Sequence, residues 1–219
     1  MDTHTSARRL GTMLSAALLI AGCAGSTAPD SGDARGSLER RLADGLALDL
    51  EPELSRVRIA GDVSGERFTR EDLAVREGEL RLHTSGRETL VLESLRASIV
   101  DIRISPEVVP PEGLHLTDIR AEIASPVEGA ITWVADEGYA ELTVELVASW
   151  SLMTRSGGPV ALAPQHVEDL VLGIMLRTDA GGILVAELSA EAQGDLIHWP
   201  TVADVDRLTL DLTARELPF

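Results

Sequence analysis

In the stretch ELTVELVASWSLM, residues 141–153, the side chains Leu142, Val144, Leu146, Ala148, Trp150 and Leu152 share one parity. Glu141, Thr143, Glu145, Ser149 and Ser151 take the other parity, with Val147 and Met153 as apolar exceptions. Six apolar positions at period two do not fall on one helix face, because a helix repeats every 3.6 residues. They define a strand with one dry face and one wet face. Residues 169–192 repeat the design. Leu170, Leu172, Ile174 and Leu176 alternate, DAGG turns, and Leu184, Ala186, Leu188 and Ala190 alternate back. Near the C-terminus Leu208, Leu210, Leu212 and Ala214 again share a face. Ahead of residue 141, the DEG of AITWVADEGYA predicts a hairpin turn in which Gly138 takes positive φ.

Strands with one apolar face must cover it. The pattern therefore predicts an all-β fold of about nine to twelve antiparallel strands. It forms a sandwich, a closed barrel or a curved sheet around a ligand, with one or two short helices. Leu38, Leu42 and Leu46 stand four apart and predict one helical entry. FTREDL, residues 68–73, predicts a helical turn capped by Thr69, with Phe68 stapled to Leu73. The wet parity carries Glu, Asp, Thr, Ser and Arg. A membrane barrel would carry apolar residues there, so that class is excluded.

LVLESLRASI at 90–99 matches LHLTDIRAEI at 114–123 at six positions, among them Arg96/Arg120 and Ala97/Ala121. Each copy changes parity midway, which a β-bulge produces. A short turn near Glu93 and Asp118 is the rival reading. An internal repeat and chance likeness between Leu-rich strands both remain open.

The chain has 219 residues, with 19 basic and 36 acidic side chains and a formal charge of −17. Every basic residue is Arg; there is no Lys. This charge opposes nucleic acid and anionic membrane surfaces, so no nucleic-acid partner is expected. Without Lys there is no Schiff base and no phosphate-anchoring ammonium. Elbow, zincin, phosphate-loop and calcium-loop motifs are absent. No cofactor or metal is expected, and no catalytic residue stands out.

The first residues read as an address. Arg8 and Arg9 precede an uncharged run from Leu10 to Ile20, then Ala21, Gly22 and Cys23, the one cysteine of the chain. The run is about half the ~20 residues that a spanning helix needs. A basic start, a short apolar core and small residues form a secretory signal.

Ile20, Ala21, Gly22 and Cys23 together resemble the lipobox of bacterial lipoprotein signal peptides. The resemblance covers residues 1–23 and implies a diacylglycerol on Cys23 and cleavage just before it. It implies a cell-envelope location, attached to the membrane through lipid. Ala24 at the next position is compatible with the periplasmic face of an outer membrane if the cell is Gram-negative. The expected organisation is then a signal peptide over 1–22, a lipidated Cys and flexible tether over 23–37, and one β-rich domain over 38–219. The tether expectation rests on AGSTAPDSGDARGS, which has no large apolar residue to bury.

Among the histidines, His83 and His115 fall on predicted strands with polar neighbours. His166 in PQHVEDL stands near Glu168 and Asp169, in what reads as a loop, and His198 in DLIHWP stands beside Trp199 and Asp195. A His with two acids is a metal corner or a general base only if a third group converges on it. Asp204 and Asp206 share one side of a strand and suit a weak cation site or a solvated edge. Trp133 and Trp150 sit on apolar parities and belong to the core. Trp199 closes one end of the body.

The function expected from these features is a lipid-anchored envelope protein acting as a non-enzymatic binding module. Its partner is an apolar ligand or an envelope protein. An envelope spacer, and an enzyme using His166 or His198 with nearby acids, are the alternatives.

Overall fold

The computed structural model describes residues 31–63, 66–105, 113–154, 157–199 and 203–217. The lipobox residues Ile20, Ala21, Gly22 and Cys23 lie outside that set. One helix, α1 (Ser31–Asp44), is followed by twelve strands. They are β1 (Leu46–Leu50), β2 (Arg56–Val63), β3 (Glu66–Thr84), β4 (Thr89–Ile99), β5 (Ile102–Ile104) and β6 (Leu114–Ile123). Then come β7 (Val127–Val134), β8 (Glu137–Met153), β9 (Pro159–Ala161), β10 (Gln165–Thr178), β11 (Leu184–Trp199) and β12 (Ala203–Arg215).

Every pairing is antiparallel, and the twelve strands fill eight positions. β1 and β2 run in the same direction between β3 and β12, interrupted at 51–55. β6 and β7 likewise share one position between β4 and β8. β5 extends β4 alongside β6, and β9 extends β10 alongside β8. In the half that holds β1, the ladders close on themselves. β1 pairs β3, β3 pairs β4, β4 pairs β7 and β7 pairs β8. From there β8 pairs β10, β10 pairs β11, β11 pairs β12, and β12 returns to β1. That closure decides between the three expected forms: the sheet is a barrel at this end.

The alternation sets what the barrel contains. Leu142, Val144, Leu146, Ala148 and Trp150 on β8 are all buried, as are Leu170, Leu172, Ile174 and Leu176 on β10. Leu80, Leu82, Leu90, Leu92, Leu184, Leu188 and Leu212 complete the closed half. A fully buried Leu stabilises by about 1.5–3 kcal/mol relative to an exposed one, so this interior drives closure. Outward positions on β8 read Glu137, Tyr139, Glu141, Thr143 and Glu145, and all are solvent-accessible. Among the described residues these outward positions of β8 form no apolar belt.

Helix α1 stops the closed end. Leu38 and Leu42 are completely buried in the core. Arg41 donates to the Gly182 carbonyl at 3.1 Å and pairs with Glu216, tying the helix to the β10–β11 turn and the C-terminal segment. The Arg35 guanidinium lies 5.3 Å from the centre of the Trp133 ring. Gly45, at φ 84, ends the helix, and its N–H bonds the Leu42 carbonyl.

Four local expectations are corrected. The helix begins at Ser31, so residues 31–37 belong to it and not to a tether. Two buried leucines anchor its later turns, and the earlier turn propagates from them. Leu46 is not in that helix but opens β1. FTREDL is strand, not helical turn: Thr69 and Arg70 pair with Ala60 and Ile59 across the β2–β3 hairpin, and that ladder overrides the local capping signal. The turn before β8 is Ala135–Asp136, with Ala135 at φ 55 and Val134 opposite Glu137. Gly138 lies inside β8. A Cβ there would come within 2.9 Å of Ile131 Cδ1 and 3.0 Å of Trp133 Cζ3, so the glycine admits a close approach rather than a turn.

Both parity switches are bulges. Glu93 is the extra residue between Leu92 and Ser94, which pair with Leu82 and Arg81. Asp118, at φ 51, lies in the register shift between Thr117 and Arg120. The two copies pair with each other about Ala97 and Ala121.

Candidate binding cleft

Away from α1 the barrel comes apart along two lines. The first lies between β3 and β5. The β3–β4 ladder ends at Val75 and Ile99, followed by one last bond from the Val100 N–H to the Ala74 carbonyl at 3.1 Å. Below it, among the described residues, 66–74 of β3 pair only with β2 and β5 pairs only with β6. The second line lies between β10 and β11. Their ladder ends at Leu172 and Ala190. Beyond it β10 stays with β8, while β11 stays with β12 as far as Trp199.

Bulges at both forks explain the divergence. Register shifts fall at Val75/Glu77 on β3, at Val167/Leu170 on β10 and at Gln193/Ile197 on β11. The shift on β3 falls in its ladder with β4, that on β10 in its ladder with β8 and that on β11 in its ladder with β12, and each bends its own strand where a fork begins. The barrel therefore opens into two facing sheets. One holds the far halves of β3, β2, β12 and β11. The other holds β5, β6, β8 and β10.

Between them lies a cleft of about 50 Å³. Val57, Ile59, Leu73, Val205, Leu208 and Ile197 line it from the first sheet. Ile99, Ile102, Leu116, Leu146 and Trp150 line it from the second. Its walls are aliphatic apart from Trp150 and Arg120. The cleft borders the β3–β5 fork directly, since Leu73, Ile99 and Ile102 stand on its two sides. At the other fork Val167 and Leu170 are 2% exposed and fill the space between the sheets.

The histidines do not converge on this cleft. His166 lies on strand β10, not in a loop, and Nδ1 faces Glu145 of β8 on the outer surface. Its neighbours Glu168 and Asp169 sit in the β10 bulge and are exposed. His198 is also on a strand, paired in register with Asp204; its side chain, with that of Trp199, lies outside the described set. His83 pairs with Glu93 at 3.1 Å, and His115 approaches Asp101 at 3.5 Å.

Asp206 is bound to Arg67, whose charge and hydrogen bond hold its carboxyl below the usual range. Asp211 pairs with Arg58 at 3.1 Å. Among the described residues no three His, Cys, Asp or Glu side chains gather to hold a metal ion. Trp150 is 5% exposed and lines the cleft; Trp133 is half-buried beneath Arg35. Sequence reasoning placed the cleft residues inside the body but not in a cleft. The fork-forming bulges on β10 and β11 interrupt pairings with distant strands, and one strand's pattern does not reveal them.

No family model matches the chain, and no curated protein matches it. Among solved structures, the chain aligns with Ail, the attachment invasion locus protein of Yersinia pestis, crystallised with the heparin analogue sucrose octasulfate. The TM-score is 0.46 at 7% identity, over 78% of this chain and 98% of that one. The barrel described above rests on this chain's own ladders.

Proposed function

We propose that this protein is a non-enzymatic binding module of the cell envelope, held to the membrane by lipid on Cys23, and that its cleft takes an acyl chain. One observation carries the reading. The two sheets face each other across aliphatic side chains along a stretch where, among the described residues, no backbone ladder joins them. A cleft of about 50 Å³ is small beside the roughly 300–1,000 Å³ of drug-sized pockets. A single acyl chain enters it by parting the sheets, and parting them along the forks breaks side-chain contacts but no ladder bonds. A strongly polar ligand finds few partners there, because Arg120 is the one charged side chain among the described lining residues. The envelope location and the anchor are supported by the Ile20–Cys23 motif alone.

Native mass spectrometry of protein purified from its host membrane tests the ligand. An adduct with the mass of a fatty acid or phospholipid, lost on delipidation and restored by added lipid, is the expected result. Protein that is free of adduct and stays so under lipid excess refutes the reading. A purely packed body presenting an edge to a protein would then be preferred.

A further inference from the structure

Two forks flank the cleft, and they are not equivalent. At the β10–β11 fork Val167 and Leu170 are buried, while Ile197 of the cleft lining is half-buried. Glu168, Asp169, Glu191 and Asp195 are exposed along its two strands. At the β3–β5 fork Ile99 and Ile102 of the cleft lining are buried and Leu73 is half-buried.

A side-chain cluster sits at the crotch of this second fork. Asp101 lies between β4 and β5, one residue past the last ladder bond. Its Oδ1 accepts from Arg76 Nη2 at 2.9 Å, and its Oδ2 stands 3.5 Å from His115 Nε2. Arg76 is the extra residue of the β3 bulge, in the last step of the ladder before β3 leaves β4. His115, on β6, belongs to the β5–β6 side of the fork, as does Arg103 on β5, whose Nε approaches His115 Nε2 at 3.4 Å. The carboxylate thus bridges β3 and β6 at the point where the ladder stops.

Resting on the acyl-chain reading, we infer that the ligand enters sideways through the β3–β5 fork, and that Asp101 is the latch that sets how far the fork opens. Without the bridge, the next bonds to yield are Val100–Ala74 and then the Ile99–Val75 pair, and the fork deepens toward the closed half. Asp101 touches no ligand. It is a positioning residue, so its signature is kinetic: entry and exit both quicken while affinity changes little.

The test uses cis-parinaric acid, a fluorescent fatty acid that quenches tryptophan emission, with Trp150 in the cleft wall as the donor. Stopped-flow quenching of the full-length protein gives entry, and displacement by oleate gives exit. Asp101→Asn is expected to speed both by about three- to tenfold, the scale of one or two exposed ion pairs. Leu73→Trp, which narrows the lip, is expected to slow both. Glu191→Gln at the other fork is expected to match the wild type. Wild-type rates in both Asp101→Asn and Leu73→Trp, with quenching retained, overturn the entrance and the latch but leave the acyl-chain reading standing. A rate change in Glu191→Gln alone moves the entrance to the other fork and also overturns the inference. Absence of quenching in the wild type overturns the acyl-chain reading and the inference with it.

Discussion

Ser55 completes the ladder of a strand it does not belong to. Its hydroxyl donates to the Thr213 carbonyl at 3.2 Å, and the Thr213 N–H donates back to Ser55 Oγ at 3.1 Å. The interruption between β1 and β2 leaves β12 without a partner at Thr213, and Ser55, completely buried, supplies both bonds from one side chain. The Glu51 N–H adds a bond to the same carbonyl at 2.8 Å. Ser55→Ala leaves the Thr213 N–H buried and unmatched. The expected cost is about 1–3 kcal/mol, read as a lower urea midpoint at unchanged slope. A change under about 0.5 kcal/mol would mean that water reaches Thr213.

The helix plug separates packing from surface electrostatics. Leu42→Ala removes a completely buried side chain and leaves a cavity at the closed end. About 2–5 kcal/mol of destabilisation is expected. Arg35→Ala removes an exposed ion pair with Glu39 and the stacking on Trp133, and is expected to cost no more than about 1 kcal/mol. Equal effects from the two substitutions would show that the helix is held by its charges. A negligible effect of Leu42→Ala would show that the barrel folds without the plug.

The contrast between interior and exterior was legible in the sequence because period two is a local property. Leu142 through Trp150 and Leu170 through Leu176 all point inward, as their parity predicts. So were the bulges at Glu93 and Asp118, which flip parity within a strand. Closure was not legible. A sandwich and a barrel share the same alternation, and the return of β12 to β1 joins Leu50 to Ala214 across nearly the whole chain. FTREDL failed for a related reason, since a capping signal worth about 1 kcal/mol competes with the β2–β3 hairpin ladder. The cleft was hidden because its lining reads as ordinary core. Its existence depends on which strands fail to pair, and that follows from register shifts on strands far apart in sequence.

Asp179 gives the barrel a sensitivity to acid. Its Oδ1 accepts from the Ile183 N–H at 3.0 Å and the Gly181 N–H at 2.8 Å, closing the β10–β11 turn. The Ile183 bond is the main reason that its carboxyl sits below the usual range. The Gly181 bond and the charges of Arg215 and Arg177 add to it, while desolvation opposes them. A carboxyl depressed in the folded state stabilises above the ordinary carboxylate range, because in the window between the two values the unfolded chain binds more protons. That stability is lost as pH falls below about 4 toward the folded value. Asp179→Asn cannot titrate. The stability gap between wild type and this variant is therefore expected to shrink between about pH 6 and pH 2, followed by urea midpoints at each pH. A gap that stays constant or widens toward acid would contradict the turn geometry.

The anchor is tested apart from the barrel. Removing the thiol of Cys23 removes the one atom that the Ile20–Cys23 motif offers for acylation. One acyl chain binds a bilayer only marginally and two hold stably, at about 0.8 kcal/mol per buried methylene, so losing the attachment point abolishes membrane retention rather than weakening it. Cys23→Ser, expressed in a bacterium that processes lipoproteins, is expected to leave the membrane pellet and the detergent phase and to lose metabolic labelling with palmitate. The outward face of β8 carries Glu137, Glu141 and Glu145, charges that oppose partition into a bilayer. The released protein should therefore stay in the aqueous phase with its barrel intact by circular dichroism. If Cys23→Ser still partitions with detergent while folded, the lipid attachment is elsewhere, and the lipobox reading of residues 20–23 is wrong.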